Sequence, residues 1–482
     1  MKSDAARSGA QTALALLLAL SVLLYSPTLF HLAFADDDIY LAFSNRFLRE
    51  APWRDLYLLL LQPANPWEFL PLRDFTYWLD FRLYGDDNGA FHFSNLLWYC
   101  ATIVAAVVLF RELILYCRPE WGPDVWEFSL CGAVVFAVHP AHVEVVAWIA
   151  SRKDLVSATL GMLSLALLVR SICASWSWPR VSLSAALLFL ACFGKASAMT
   201  LVVVASALIL SGFTSFGKTD WQRRVLALAV FLGLMAVAFQ IHQHFSGETG
   251  IRLINAPGSQ FVLERASRIF VSLGGILLWP YPLHFYYDVF RIGNYHWWLS
   301  SGGLVLFLVS SYFFLRWRSL WGGGVLLALA PFLAHLQWVP YTAWSLASER
   351  FVFISVAGLA LVLIDLAVRV GGIRAARTLV YVLFLPSAII VWERVAHWET
   401  NTTTLLAREY ALNPDFHNAI RDRVVFELLP EKRYEEAERL VAKIPRAYAR
   451  DAYYSLLDTD RCYWKWNDAR ARATEGSVGV IF

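Results

Sequence analysis

The sequence predicts an all-α fold: a polytopic membrane bundle of about eleven transmembrane helices, followed by a small helical extracytoplasmic domain. Three observations predict it. First, 58% of the 482 residues are hydrophobic and only 16% are charged, against about 45–50% and about 25% in soluble proteins. Second, apolar runs recur along the chain, many near the roughly 20 residues a membrane helix needs. Third, Lys or Arg closes every short inner loop that this alternation creates, as the positive-inside rule requires. The net charge of +3 gives no argument for nucleic acid. Six cysteines without a CxxC pair suggest neither a disulfide framework nor a zinc site.

Lys2 and Arg7 stay inside, so the run 11–34 leads outward. Ala33-Phe34-Ala35 after it also has the form of a signal-peptidase site, whose cleavage would leave Asp36 as the new N-terminus. The first outer segment, 36–90, follows. Tyr40, Phe43 and Phe47 share helical spacing, and Pro52, Pro63, Pro66 and Pro71 divide the segment into short pieces expected to lie along the membrane surface. Runs 93–115, 127–140, 155–172, 181–194, 198–213 and 225–241 then alternate inward and outward. The second outer segment is 242–296. Its apolar part, 269–283, is expected to be re-entrant or surface-lying, because a crossing there would put Arg316 and Arg318 outside. Runs 297–315, 322–336, 351–368 and 378–392 complete a membrane domain, 1–395. The remainder, 396–482, is polar. Within it Glu431–Ile444 reads as an amphipathic helix with Tyr434, Ala437, Leu440 and Val441 on one face. One or two helical hairpins fit there, as a degenerate tetratricopeptide-like unit, whereas a full repeat array does not.

With this alternation the unusual polar groups fall on the outer side. Asp36, Asp37 and Asp38 directly follow the first run. Like charges packed together raise one another's pKa and are costly unless used, which marks one of them as a candidate catalytic base. Other outer ends carry Arg73 and Asp74, His92 and Asn95, and then His139, His142 and Glu144. Arg152, Lys153 and Asp154 follow, then Lys195, Tyr287 with Asp288, and Glu349 with Arg350. Ionisable residues at the ends of apolar spans are expensive and mark function by default. Acids with fixed cations on one face suit an anionic ligand and a proton acceptor. A lipid phosphate carrying a sugar would supply the anion, and an acceptor hydroxyl the proton. Each group also has a structural alternative. The acids can be a solvated helix end, and Arg152, Lys153 and Lys195 can be snorkelling anchors. Glu144 can cap a helix or pair with Arg152, and Glu349 can pair with Arg350. His139 and His142, three apart across Pro140, suit either a metal or interfacial hydrogen bonds.

This succession resembles the membrane glycosyltransferases of the C-type fold. Within them it is most similar to the protein O-mannosyltransferase group that carries tetratricopeptide repeats, and to its bacterial relatives. The matching pieces are Asp36-Asp37-Asp38 after the first run, Pro71-Leu72, and His92 with Asn95. They continue with a His-Pro-x-His-x-Glu signature at His139-Pro140-Ala141-His142-Val143-Glu144, then Ser151-Arg152-Lys153-Asp154 and Gly194-Lys195. Ser348-Glu349-Arg350-Phe351 and Trp398 leading to Asn413-Pro414 complete the set, which covers roughly residues 20–415. Three departures stand out. Leu70 replaces the Arg often found before Pro-Leu, Ala196 replaces the Glu usual after Lys195, and the tail is short for the family's repeat arrays.

The resemblance implies transfer of a single sugar from a polyprenyl-phosphate donor to an acceptor hydroxyl, expected on protein Ser or Thr, with inversion. The site would face the extracytoplasmic side of a multi-pass protein, expected in a bacterial inner membrane. Asp37 or Asp38 would be the base, with Asp36 behind them. Arg350, Arg152, Lys195 and Lys153 would bind the donor phosphate. His139, His142, Glu144, Asp154, His92, Arg73 and Glu349 would position the acceptor or the base. No cofactor is expected, because side chains can neutralise the leaving phosphate. An oligosaccharide-transferring relative would use a divalent metal, which here would fall to Asp37, His142 and Glu144. The implied partners are the lipid-linked donor, a protein or glycan acceptor and membrane lipid, with no nucleic acid. Two other readings stay open: the same chemistry on a lipid or polysaccharide acceptor, and a lipid-linked sugar transporter or flippase. Transporters often carry paired, broken spans related by internal symmetry, and no half-to-half similarity is evident here.

Overall fold

The computed structural model describes residues 2–32, 42–64, 68–173, 176–246, 259–338 and 345–444. Among them every regular element is helical, the arrangement that lets a chain satisfy its backbone without water. The chain divides into two compact units, 1–398 and 399–482.

The first unit begins with α1 (Lys2–Tyr25), extended by a 3-10 turn to Phe30. After a short helix at Arg46–Glu50 come α2 (Pro71–Tyr84), α3 (Asn88–Cys117), α4 (Val125–Ala137), α5 (Val143–Ala147) and α6 (Arg152–Cys173). Then follow α7 (Trp178–Gly194), α8 (Leu201–Leu210), α9 (Lys218–Ser246) and α10 (Ser259–Leu278). The unit closes with α11 (His296–Trp317), α12 (Leu320–Leu329) and α13 (Ser355–Ala396). Every expected crossing falls on one of these helices. Among the described residues, seven helical stretches are long and apolar enough to span a bilayer, or eight if the pair bent by 63° around His139 is one span. α7 and the stretch Leu320–Ala334 are apolar but shorter. Length and composition therefore do not reproduce the expected eleven. α13 is two helices that meet at a kink at Gly371 and Gly372, between the runs 351–368 and 378–392. Gly372 takes φ 61° there, a left-handed value that glycine adopts without a Cβ clash. α10 covers most of 269–283 and is not among the seven.

The helices of the first outer segment bury part of their surface in the protein and leave Trp53, Tyr57, Leu60 and Leu83 exposed. Pro71 sits in the first turn of α2, where its fixed φ suits a helix and its missing N–H costs nothing. α2 then buries Arg73, Asp74, Tyr77, Trp78, Asp80 and Phe81. Its rings pack with Leu48, Leu59, Phe91 and Ile149 into one core. The Tyr77 hydroxyl donates to the Ile149 carbonyl at 2.9 Å, and Trp78 Nε1 donates to that of Ala51 at 2.7 Å. A helix with aromatic and charged residues around its whole circumference has no single polar face to turn to water. Its charges find buried partners instead.

The helix ends sort into two sets, as the alternation requires. At one end, the end of α3, the start of α4 and the ends of α8 and α11 come together. Tyr116 meets Ser211 at 2.5 Å, the Gly212 N–H donates to the Leu315 carbonyl at 2.7 Å, and Arg377 pairs with Glu127. This is the basic end. At the other, the start of α3, α5, the start of α6, the end of α7 and residues 348–353 meet around the unusual polar groups. α12 and α13 approach so closely that a Cβ on Gly358 would strike the backbone of Ala328 and Gly324. Small residues permit such packing in lipid, and it holds the turn Glu349–Val352 in place ahead of α13.

The second unit contains α14 (Ala407–Leu412), α15 (His417–Arg423) and α16 (Tyr434–Val441). Ala437, Leu440 and Val441 line its core with Ile420 and Val424, and Tyr434 packs against them. This is the face the sequence predicts, on a helix shorter than Glu431–Ile444.

Candidate active site

Glu144 is the hub. It lies in the first turn of α5 and is buried. Ser348 Oγ lies 2.7 Å from both of its carboxylate oxygens. The Arg350 backbone N–H donates to Oε2 at 2.9 Å, and Arg350 Nη1 pairs with Oε1 and also donates to Ser348 Oγ at 2.7 Å. Glu144 therefore pairs with Arg350, and not with Arg152. The Arg350 guanidinium rests over the rings of Trp148 (5.1 Å) and Phe351 (5.0 Å). Glu349 turns away from Arg350. It accepts from Arg394 Nη2 at 2.6 Å, with both side chains buried.

Lys195 follows Gly194 at the end of α7, and its Nζ lies 2.5 Å from Asp154 Oδ1. Burial lowers the Lys195 pKa, while Asp154 acts the other way. Lys195 and Arg350 line one small cavity, together with Asp154, Thr200, His335 and Phe351. Each cation reaches the cavity as one member of an ion pair, Lys195 with Asp154 and Arg350 with Glu144.

The other two expected phosphate ligands are elsewhere. Arg152 has no solvent exposure. Its Nε donates to Asn95 Oδ1 at 2.7 Å, Nη2 donates to the Phe91 carbonyl at 2.8 Å, and Nη1 pairs with Asp80. Tyr77 lies beneath it at 4.8 Å. All three of its nitrogens address protein, which makes Arg152 a strut between α2, α3 and α6. Lys153 and Arg73 share one acid: Glu68 receives Lys153 Nζ at 2.7 Å and Arg73 Nη1 at 2.6 Å. Arg73 Nε also donates to Asp74 at 2.9 Å. Burial pushes Glu68 up, but Lys153 and Arg73 together outweigh it and hold the acid below the usual carboxylate range.

The histidines separate. His139 meets the Leu277 carbonyl through Nε2 at 3.1 Å, tying α10 to the bend after α4. His142 meets the Tyr99 hydroxyl through Nδ1 at 3.2 Å and packs on Phe353. His92 is buried with no partner for either ring nitrogen, 6.1 Å from the ring of His31. Asp36, Asp37 and Asp38 lie outside the described residues. Of the metal set Asp37, His142 and Glu144, the two described members are engaged by Tyr99 and by Ser348 with Arg350. Among the described residues no group of three or more His, Cys, Asp or Glu could hold a metal ion.

Sequence reasoning missed Glu68, Asp80, His335 and Arg394. Asp80 was findable, since Arg73, Tyr77 and Asp80 fall at i, i+4 and i+7 on one helical face. His335 was findable as an ionisable residue at the end of an apolar run. Glu68 and Arg394 carry no such local signal.

No protein-family model matches the chain. Over 172 residues, 33% of the chain, it is 28% identical to the Xenopus laevis protein O-mannosyl-transferase tmtc2. Over 103 residues, 21% of the chain, it is 30% identical to the Caenorhabditis elegans protein O-mannosyl-transferase F38B6.6. The matched stretches span 20% and 14% of those relatives. Among solved structures, the Archaeoglobus fulgidus oligosaccharyltransferase in its apo form aligns over 89% of this chain and 59% of its own, with a TM-score of 0.47 at 13% identity. Its complex with Zn and sulfate aligns over 79% and 53%, with a TM-score of 0.42 at 12% identity. In sequence the chain is thus similar, over part of its length, to the O-mannosyl-transferases that its motifs resemble.

Proposed function

We propose that this protein is a membrane glycosyltransferase that moves one sugar from a polyprenyl-phosphate donor to an acceptor hydroxyl on the extracytoplasmic side, with inversion. The observation that carries the reading is the cavity where Lys195 and Arg350 converge beside Asp154. The names of the two sequence relatives support the class of reaction. In this reading the acceptor oxygen attacks the anomeric carbon and the carbon–oxygen bond to phosphate breaks. The bonding pair leaves on the polyprenyl phosphate, and the hydroxyl proton passes to Asp37 or Asp38. A base must lie within about 3 Å of that oxygen. Charge grows on the phosphate as it departs, so fixed cations aimed at it stabilise the transition state more than the ground state. Arg350 is suited to this because a planar guanidinium meets phosphate with fixed geometry. Glu144 and Ser348 hold its orientation, so those two act through Arg350. Lys195 adds a point charge with three N–H donors, one of them spent on Asp154.

The test is transfer by purified protein from a polyprenyl-phosphate sugar to a hydroxyl acceptor. Wild type is expected to turn over, and Arg350→Ala and Lys195→Ala to lose donor binding. Asp37→Ala and Asp38→Ala are expected to keep donor binding and lose turnover. Unchanged donor affinity in both cation variants would remove the cavity from the reaction.

A further inference from the structure

His335 lies in the same cavity, and no motif singles it out. It follows the 3-10 turn Ala330–Ala334, and its backbone N–H donates to the Phe332 carbonyl at 2.8 Å. This fixes its Cα at the cavity edge. Its ring stacks on Phe351, with centroids 3.9 Å apart and planes 8° apart. The same Phe351 ring has the Lys195 ammonium 5.4 Å away and the Arg350 guanidinium 5.0 Å away. One aromatic wall therefore carries three nitrogen-bearing groups around one space. His335 is 8% exposed and lines the cavity, and no hydrogen bond joins its ring nitrogens to another of the described residues. Stacking alone would be served as well by an apolar ring. An imidazole here is understandable if something entering the cavity completes its hydrogen bonds.

On the reading proposed above, we infer that His335 is a third ligand of the lipid phosphate, an N–H donor that addresses the departing group more than the incoming donor. A neutral imidazole offers one nitrogen as a donor and the other as an acceptor. The donor substrate is a phosphodiester with one negative charge. When the sugar–oxygen bond breaks, the bonding pair stays on that oxygen and the product is a monoester carrying a second charge. A hydrogen bond to an ion strengthens with that charge, so the benefit of His335 rises along the reaction. Lys195 and Arg350, whole charges, also hold the incoming diester and gain in the same way as the second charge forms.

The test compares two constants in the purified full chain: the KM for the polyprenyl-phosphate sugar and the inhibition constant for free polyprenyl phosphate. In His335→Phe, which keeps the stack and removes the N–H, inhibition is expected to weaken about tenfold while the donor KM moves by less than about threefold. His335→Gln, which restores an N–H donor, is expected to recover most of the inhibition. Inorganic phosphate at the same concentrations is expected to inhibit none of the three proteins. Equal inhibition of wild type and His335→Phe overturns the inference, as does an equal shift of both constants. Equal potency of inorganic phosphate overturns the lipid-linked assignment. No inhibition of wild type by polyprenyl phosphate overturns this inference and the donor reading together, whereas loss of inhibition in Arg350→Ala but not in His335→Phe leaves that reading standing and removes His335. If His335→Phe is not recovered folded, His335→Leu and His335→Gln give the same comparison.

Discussion

The two ends of the helical bundle treat charge in opposite ways. At the basic end the pairs are partly exposed, and several are local. Arg369 reaches Asp365 one turn away, and Arg111 meets its neighbour Glu112. One long-range pair there, Arg377 with Glu127, is more than a third exposed on both sides. Glu112 and Asp365 are buried, the latter beneath Arg118 and Arg369. At the other end the pairs are buried and join distant parts of the chain. Glu144 and Arg350 are 206 residues apart, Arg152 and Asp80 72, and Arg394 and Glu349 45. Exposed pairs contribute little to stability. Buried pairs cost desolvation, and breaking one strands a charge. The two ends therefore differ in what a broken pair is expected to cost.

That contrast can be broken most forcefully at Arg152. Replacing it with Met strands Asp80 and Asn95 and is expected to cost about 3–5 kcal/mol, seen as a large loss of melting temperature in detergent. The double variant Arg152→Met with Asp80→Leu should regain much of it. A stable Arg152→Met protein that had lost only donor affinity would restore Arg152 as a phosphate ligand. Glu144→Gln should cost about 2 kcal/mol, since charge-assisted bonds to Arg350 and Ser348 become neutral ones. It should also raise the donor KM, because Arg350 loses its orientation. Tyr77→Phe removes one buried hydrogen bond to Ile149 and should cost about 1 kcal/mol.

Smallest of all, Arg377→Ala at the basic end should leave the melting temperature unchanged. A marked fall there would erase the distinction between the two ends.

Much of this architecture was legible in the sequence, because lipid imposes long apolar runs whose ends carry the informative residues. The alternation of runs brought Glu144, Lys195 and Arg350 to one end before any coordinates. Partnership was not legible. Nothing local says that Arg152 seeks Asp80, that Glu349 seeks Arg394, or that Glu68 joins Arg73 to Lys153, since these pairs depend on how α2 folds back against α6. The core that α2 forms was not legible either, because its aromatic residues fit both a membrane surface and a protein interior. The runs 351–368 and 378–392, set apart in the sequence by Arg369, Arg374 and Arg377, part in the structure at Gly371 and Gly372.

The account stands or falls on what occupies the cavity beneath Phe351. A cryo-EM map of the full chain with polyprenyl phosphate tests this most directly. Phosphate density within hydrogen-bonding distance of Lys195 Nζ, the Arg350 guanidinium and a His335 ring nitrogen is the predicted result. Phosphate bound elsewhere, with that cavity still closed by Asp154 and Glu144, would contradict it.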